Sequence, residues 1–460
     1  MGAFRCHVPG GLPPCGRAAS APSMTDSVKS QTETALLDRI QRGAFEYFLH
    51  EANDANGLVV DKTCPDWPAS IAAVGLGLTV YPIGVERGFI TRAKAAERAL
   101  TTLRFFWQSE QSPEPGATGY KGFYYHFLDM KSGARASQCE LSTVDSALLL
   151  AGMLTCAAYF DGATPVEREI RDLADGLYAR VDWQWAQNGG PTVTHGWKPE
   201  SGFLPYRWEG YDEALLLYVL GLGSPTYPLP AESYRAWAST YQWINVYDIE
   251  YLYAGPLFTH QLSHVWIDFR GIQDEFMREH RLDYFENSRR ATFVQQRYAM
   301  HNPGGFEHYG ELCWGITASE GPGDITRKIN GIERRFFNYV ARAVPYGPDD
   351  GTIAPWGVVA SLPFAPEIVV PTVTDFTRWH RAGDHRYGFK AAFNPTFPDP
   401  GGLPNGWVSP WHFGINEGPI VAMIENYKSG LVWQLMRECR YLVAGLRAAG
   451  FARGWLHDAD

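Results

Sequence analysis

The chain has 460 residues, 45% of them hydrophobic and 14% aromatic, with a formal charge of −10. No run of Lys and Arg concentrates positive charge, which excludes the electrostatic footprint of a nucleic-acid binder. No stretch of ~18 apolar residues occurs, which excludes a membrane-spanning helix from the expected elements.

Residues 1–33 open with a Gly- and Pro-dotted stretch and are expected to form a disordered tail. The stretch lacks the apolar run of a secretory signal, which points to the cytoplasm; Met24 is an alternative start, and with a misassigned start the periplasm stays open. Seven cysteines without a CxxC pair read as reduced thiols.

From about residue 34 apolar residues recur at helical spacing. Helices are expected at 69–83, 93–107, 142–159 and 165–185, the last opened by Pro165. Further helices are expected at 212–221, 231–241, 263–280, 282–300, 333–343, 366–380, 416–428 and 430–448. No convincing period-two strand pattern interrupts them. About a dozen helices joined by Gly/Pro-rich loops predict an all-α fold, an (α/α)6 toroid of paired helices. The toroid is expected as a single domain over 34–450 with a short tail at 451–460; two ordinary helical domains are the alternative.

Carboxylates that cleave glycosidic bonds work in pairs, so acids at helix starts flanked by aromatics are the candidates. Glu140 precedes Ser142 and Thr143, either of which can cap a helix carrying Asp145 in its first turn. Trp208, Tyr211 and Glu213 cluster before a short apolar helix, where desolvation would raise a carboxyl pKa as a general acid requires. Glu320 follows Trp314 in a Gly/Pro loop, and Glu417 opens a later helix. First-turn capping or an ordinary turn is the competing explanation at each place. His260 and His264 stand four apart, as a zinc pair would on a helix, but Gln261 replaces the usual glutamate; no metal is expected. The sequence Trp266-Ile267-Asp268-Phe269-Arg270 predicts an internal Asp–Arg pair.

These segments resemble the glucoamylase-like family. The similarity is carried by Glu140-Leu141-Ser142-Thr143-Val144-Asp145, by Gly210-Tyr211-Asp212-Glu213-Ala214, and by His264-Val265-Trp266-Ile267-Asp268-Phe269-Arg270-Gly271. It extends to Tyr284-Phe285-Glu286-Asn287-Ser288, Asp350-Gly351-Thr352-Ile353-Ala354-Pro355 and Ser361-Leu362-Pro363-Phe364, and runs over 34–448. The resemblance implies an (α/α)6 fold and kinship with bacterial β-1,2-glucanases of glycoside hydrolase family 144 and with the glycosyl-transferring domain of cyclic β-1,2-glucan synthases. It further implies a metal-independent, mostly inverting hydrolase without a cofactor. By motif Glu213 is the expected general acid, and Glu320 or Glu417 the expected base. Relatives often carry Asp where Glu320 stands, and an Asp-Gln or Asn-Gln pair where Asn416-Glu417 stands, so the base stays open. Asp145, Glu140 and His264 are expected to hold sugar hydroxyls, and Trp208, Tyr211, Trp266 and Trp314 to stack on sugar faces. The expected partner is a β-glucan oligo- or polysaccharide, with neither nucleic acid nor membrane, and the oligomeric state is open. A transglycosylase on the same cleft and a non-catalytic sugar-binding protein are the alternatives.

Overall fold

A computed structural model describes residues 24–379, 386–398 and 406–457, with side chains from residue 31. Residues 1–23 of the expected tail, with Cys6 and Cys15, and most of the Gly/Pro stretch near 400 lie outside the described residues. Among the cysteines within them, Cys64, Cys139, Cys156 and Cys439 are free thiols.

Helices with apolar residues all round alternate along the chain with helices apolar on one face. The first kind comprises Ile71–Glu86, Thr143–Tyr159, Leu215–Leu222, Pro355–Ala360 and Gly414–Lys428, which are buried along nearly their whole length. Between the third and fourth, two 3-10 turns, Leu257–His260 and Leu262–Val265, take the same buried position. The one-sided helices are Met24–His50, Arg92–Gln108, Pro165–Ala179, Tyr284–His301, Pro366–Arg378 and Arg440–Ala448. Arg92–Gln108, for example, buries Ala95, Ala99, Leu103 and Phe106 at the three-to-four spacing of one helical face.

Each buried segment touches the next. Ile71–Glu86 packs on both Thr143–Tyr159 and Gly414–Lys428, and Thr143–Tyr159 packs in turn on Leu215–Leu222. The Leu216 amide donates to Ser263 Oγ at 3.1 Å, and Gln261 Nε2 to the Gly357 carbonyl at 2.6 Å. Pro355–Ala360 then packs on Gly414–Lys428. Small residues permit the closest crossing: a Cβ on Gly152 would lie 2.0 Å from the Gly75 carbonyl oxygen.

Short antiparallel strands are wired into one end of these helices. Ala69–Ser70 pairs with Phe127–Leu128 and runs straight into Ile71–Glu86. Leu141–Ser142 is the centre of a five-stranded sheet and runs straight into Thr143–Tyr159. The strands therefore aim two helix N-termini at the same loop face.

Three stretches depart from the helical expectation. Residues 333–343 form no helix: Ile325–Ile329 pairs with Ile332–Phe336, and Val340–Ala341 pairs with Ala318–Ser319. The cause is Asn330-Gly331, both left-handed at φ 48 and 83, the turn that matches strand twist in a two-residue hairpin. Residues 263–280 break at Gly271 (φ 76), leaving a 3-10 turn and the short helix Glu275–Glu279. The helix expected from 34 already runs from Met24. Among the described residues no helix is long and apolar enough to cross a membrane.

Candidate functional site

The strand Phe123–Tyr125 delivers His126 to the loop face, and the strand Leu141–Ser142 delivers Glu140 and Asp145 beside it. Ser142 caps its helix by accepting from the Asp145 amide, and its hydroxyl donates to Asp145 Oδ2 at 2.5 Å. The His126 ring stacks on Phe127 with centroids 4.0 Å apart. Its Nδ1 lies 2.9 Å from Glu140 Oε1 and its Nε2 3.7 Å from Asp145 Oδ2. Burial alone would drive off the imidazole proton, but Asp145 and Glu140 outweigh it and Asp61 adds to them. The His126 pKa is pushed up to about 9, so the ring is a cation at neutrality. Glu140 pays burial too, yet the same hydrogen bond holds its carboxyl below the usual range.

Glu213 sits just ahead of Leu215–Leu222, where the left-handed Gly210 (φ 85) turns the chain back. Desolvation, then the charges of Asp145 and Asp212, push its pKa up to about 8, against a smaller pull from His126. Hydrogen bonding takes no part in that shift. Asp212 accepts from Trp237 Nε1 at 3.0 Å and from the Ala214 amide at 2.9 Å, and desolvation still lifts it to about 7. Both acids line a cavity of about 420 Å³ walled also by Tyr211, Gln242, Tyr253 and Thr259. A carboxyl that keeps its proton in the field of a second carboxyl is the pairing that general acid–base work needs.

Two further groups enter the same field. Asp61 accepts from Trp67 Nε1 at 3.0 Å; burial raises its pKa, and Asp145 adds to the rise. Tyr339, at the base of the hairpin, leaves 55% of its surface exposed. Desolvation, then Asp61, Glu213 and Asp145, hold its phenol well above the ordinary value.

Glu320 is attached through Lys62. It accepts from Lys62 Nζ at 3.1 Å and from Ser409 Oγ at 2.7 Å, and Lys62 lies 4.2 Å above the Trp67 ring. The fully buried Arg342–Asp350 pair (2.8 Å) steadies this wall, since Arg342 also donates to the Ser319 carbonyl beside Glu320 and the Asn338 carbonyl beside Tyr339. Glu417 is in the first turn of Gly414–Lys428, whose start bonds the Asp61–Thr63 loop, but its side chain is 1% exposed. It pairs with His412 Nδ1 at 3.0 Å and its second oxygen has no partner. Burial raises its pKa far above the usual range while Lys390 pulls the other way; none of the cluster's charges contributes.

Several residues expected to meet sugar are committed to the interior. Trp266 and Trp314 are both fully buried, their indole N–H groups donating to Thr79 and Thr372. His264 is enclosed against Ser288 at 2.9 Å, and burial lowers its pKa to about 3, which leaves a neutral core imidazole. His260 and His264 stand on separate 3-10 turns, and His260 Nε2 bonds the Ala254 carbonyl. Trp208 gives one face to His195 at 3.8 Å and its N–H to Thr143, so it supports the sheet. Tyr211 reaches the cavity from a ring cluster with Tyr241, His260 and Tyr284. The expected Asp268–Arg270 pair is present at 2.7 Å, and Arg437 joins it.

The structure thus brings Glu140, Asp145, Glu213 and, through Lys62, Glu320 to one face. Sequence reasoning missed His126, Asp61, Lys62, Trp67 and Tyr339. The signal available for three of them was the polar loop Asp61-Lys62-Thr63-Cys64-Pro65-Asp66-Trp67 immediately before a buried helix.

Residues 205–440 match the Glycoamylase family model, described as "Putative glucoamylase". A crystal structure of a "putative glucoamylase" from Bacteroides uniformis is 30% identical, covering 92% of this chain and 98% of that one with a TM-score of 0.81. The chain belongs to the glycoamylase family. The chain is also similar to an endo-β-1,2-glucanase from Chitinophaga pinensis, solved with sophorotriose and glucose. There the identity is 25%, over 92% of this chain and 99% of that one, with a TM-score of 0.81. It is 29% identical over 442 residues to an exo β-1,2-glucooligosaccharide sophorohydrolase of Parabacteroides distasonis. The match takes in 88% of this chain and 56% of that relative, so the chain spans about half the relative's length.

Proposed function

We propose that this protein hydrolyses β-1,2-glucans on an (α/α)6 toroid. The toroid is supported by the alternation of wholly buried and one-sided helices, with Gly414–Lys428 returning to pack on Ile71–Glu86. The substrate class is supported by the β-1,2-glucan activities in the names of the Chitinophaga and Parabacteroides relatives.

The observation that carries the mechanism is a desolvated Glu213, protonated at neutrality, lining a cavity in the field of Asp145. Glu213 donates its proton to the glycosidic oxygen as the bond to the anomeric carbon breaks. Asp145, whose charge Glu213 feels most strongly, draws a proton from the water that attacks that carbon. His126 keeps a positive charge beside Asp145 and Glu140, so that three acids can share one cleft. Glu320, neutralised by Lys62, holds sugar hydroxyls rather than reacting, and Glu417 shapes the interior.

The test is incubation of the purified protein with linear β-1,2-glucan and a panel of other α- and β-glucans, with products separated by chromatography. Oligosaccharides released only from the β-1,2 polymer are expected, and the anomeric form of the first product reads inversion or retention. Release from another linkage alone would replace the substrate assignment, and no release from any glucan would remove the hydrolase reading.

A further inference from the structure

The hydrolytic scheme uses a cavity that meets the carboxylate cluster at Glu213, and a second meets it at another point. The other, about 670 Å³, joins the cluster at Lys62 and Trp67 and is also walled by Glu51, Asn53, Asp66 and Asp129. Its volume is within the roughly 300–1,000 Å³ of sites that enclose a small organic ligand.

Three segments build the wall, and hydrogen bonds fix them before any ligand arrives. The side chains of Asn53 and Asn56 donate to the Met130 carbonyl at 2.7 and 3.0 Å, tying the loop after the first helix to the loop that carries Asp129. Trp67 is held by its N–H on Asp61 and by Lys62 over one face, yet 38% of its surface is exposed. An oriented, exposed indole costs little conformational entropy when a ligand stacks on it. Ionisable groups of both signs line the cavity, with Glu51, Asp66 and Asp129 against Lys62 and Lys131, and this field does not collect anions. One aromatic face ringed by short polar side chains of mixed sign suits a neutral polyhydroxylated ligand.

The geometry points to this cavity as a second glucan-binding subsite, in which Trp67 stacks glucose units other than the two joined by the bond cleaved at Glu213. It rests on the reading of the protein as a β-1,2-glucan hydrolase, and it makes chain length a determinant of that activity. Chains long enough to touch both Glu213 and Trp67 gain affinity, and shorter chains do not.

The experiment is steady-state kinetics on β-1,2-glucooligosaccharides of increasing length with wild type, Trp67→Ala and Trp67→Phe. In wild type, KM should fall with length until the cavity is filled. Trp67→Ala should raise KM by about tenfold for the long chains, the cost of one lost stacking contact of about 1.4 kcal/mol. Its effect on the shortest chain cleaved should be much smaller. Trp67→Phe keeps a stacking ring without the N–H to Asp61 and should recover most of the long-chain affinity. Equal KM changes at every length, or a Trp67→Phe enzyme as impaired as Trp67→Ala, would overturn the subsite and assign the effect to Asp61. A wild-type enzyme inert on every length would instead defeat the hydrolase reading, which keeps the two failures distinguishable.

Discussion

Glu213 and Glu417 begin from the same sequence pattern, an acid at the mouth of a strongly apolar helix, and reach opposite surroundings. Both have pKa values raised chiefly by desolvation. Glu213 lines a cavity and feels Asp145, Asp212 and His126. Glu417 is packed against His412, with Lys390 as the one charge that pulls on it. Burial therefore does not mark an acid as reactive; room for a ligand and a second acid within its field do.

The comparison is broken most easily at Glu213. Glu213→Gln should lower kcat on β-1,2-glucan by about a hundredfold or more while circular dichroism stays unchanged, the usual cost of a lost general acid. A loss of a few-fold would make the two acids equivalent and remove the distinction.

Next come shifts of the basic limb of the pH–rate profile, which follows deprotonation of Glu213. His126→Gln removes a cation that lowers the Glu213 pKa, so the limb should move to higher pH. Asp212→Asn removes a charge that raises it and keeps the acceptor for Trp237, so the limb should move to lower pH. Shifts in the same direction would contradict the electrostatic account.

Thermal unfolding sharpens it further. Folding raises Glu213 from 4.5 to about 8, so its stability contribution is whole below about pH 4.5 and is lost as pH rises through about 8. Folding raises His126 from 6.5 to about 9, so its contribution is whole below about 6.5 and is lost as pH rises through about 9. The Tm of Glu213→Gln should therefore gain on wild type between pH 5 and 9, because only wild type must ionise a desolvated acid. A constant difference would contradict the raised value.

The smallest effect belongs to Glu417→Gln. Its kcat should stay within about threefold of wild type, and stability should fall by about 1 kcal/mol from an altered bond to His412. A loss comparable with that of Glu213→Gln would put Glu417 in the reaction.

Helical periodicity carried most of the architecture, because wholly apolar stretches such as 215–222 and one-sided ones such as 92–108 differ plainly in sequence. It fails at 333–343, where the left-handed Asn330-Gly331 turn folds Ile332 to Phe336 back as a strand on Ile325 to Ile329. In the site, Glu213 and Asp145 were legible because each begins an apolar helix. His126 was not, since a lone histidine among aromatics reveals nothing until the strand pairing of 123–125 with 141–142 sets it beside Glu140 and Asp145. The tryptophans misled for the opposite reason. Trp266 lies within a motif that carries the family resemblance and Trp314 opens the Gly/Pro loop of Glu320, yet both are core residues with satisfied N–H groups.

The central claim is that Glu213 supplies the proton to the leaving oxygen. The most direct test compares Glu213→Gln with wild type on natural β-1,2-glucan and on an aryl β-1,2-glucoside whose dinitrophenolate leaving group needs no proton. The account predicts a loss of about a hundredfold on the glucan and near-wild-type cleavage of the aryl substrate. An equal loss on both substrates would contradict it and move Glu213 to another role.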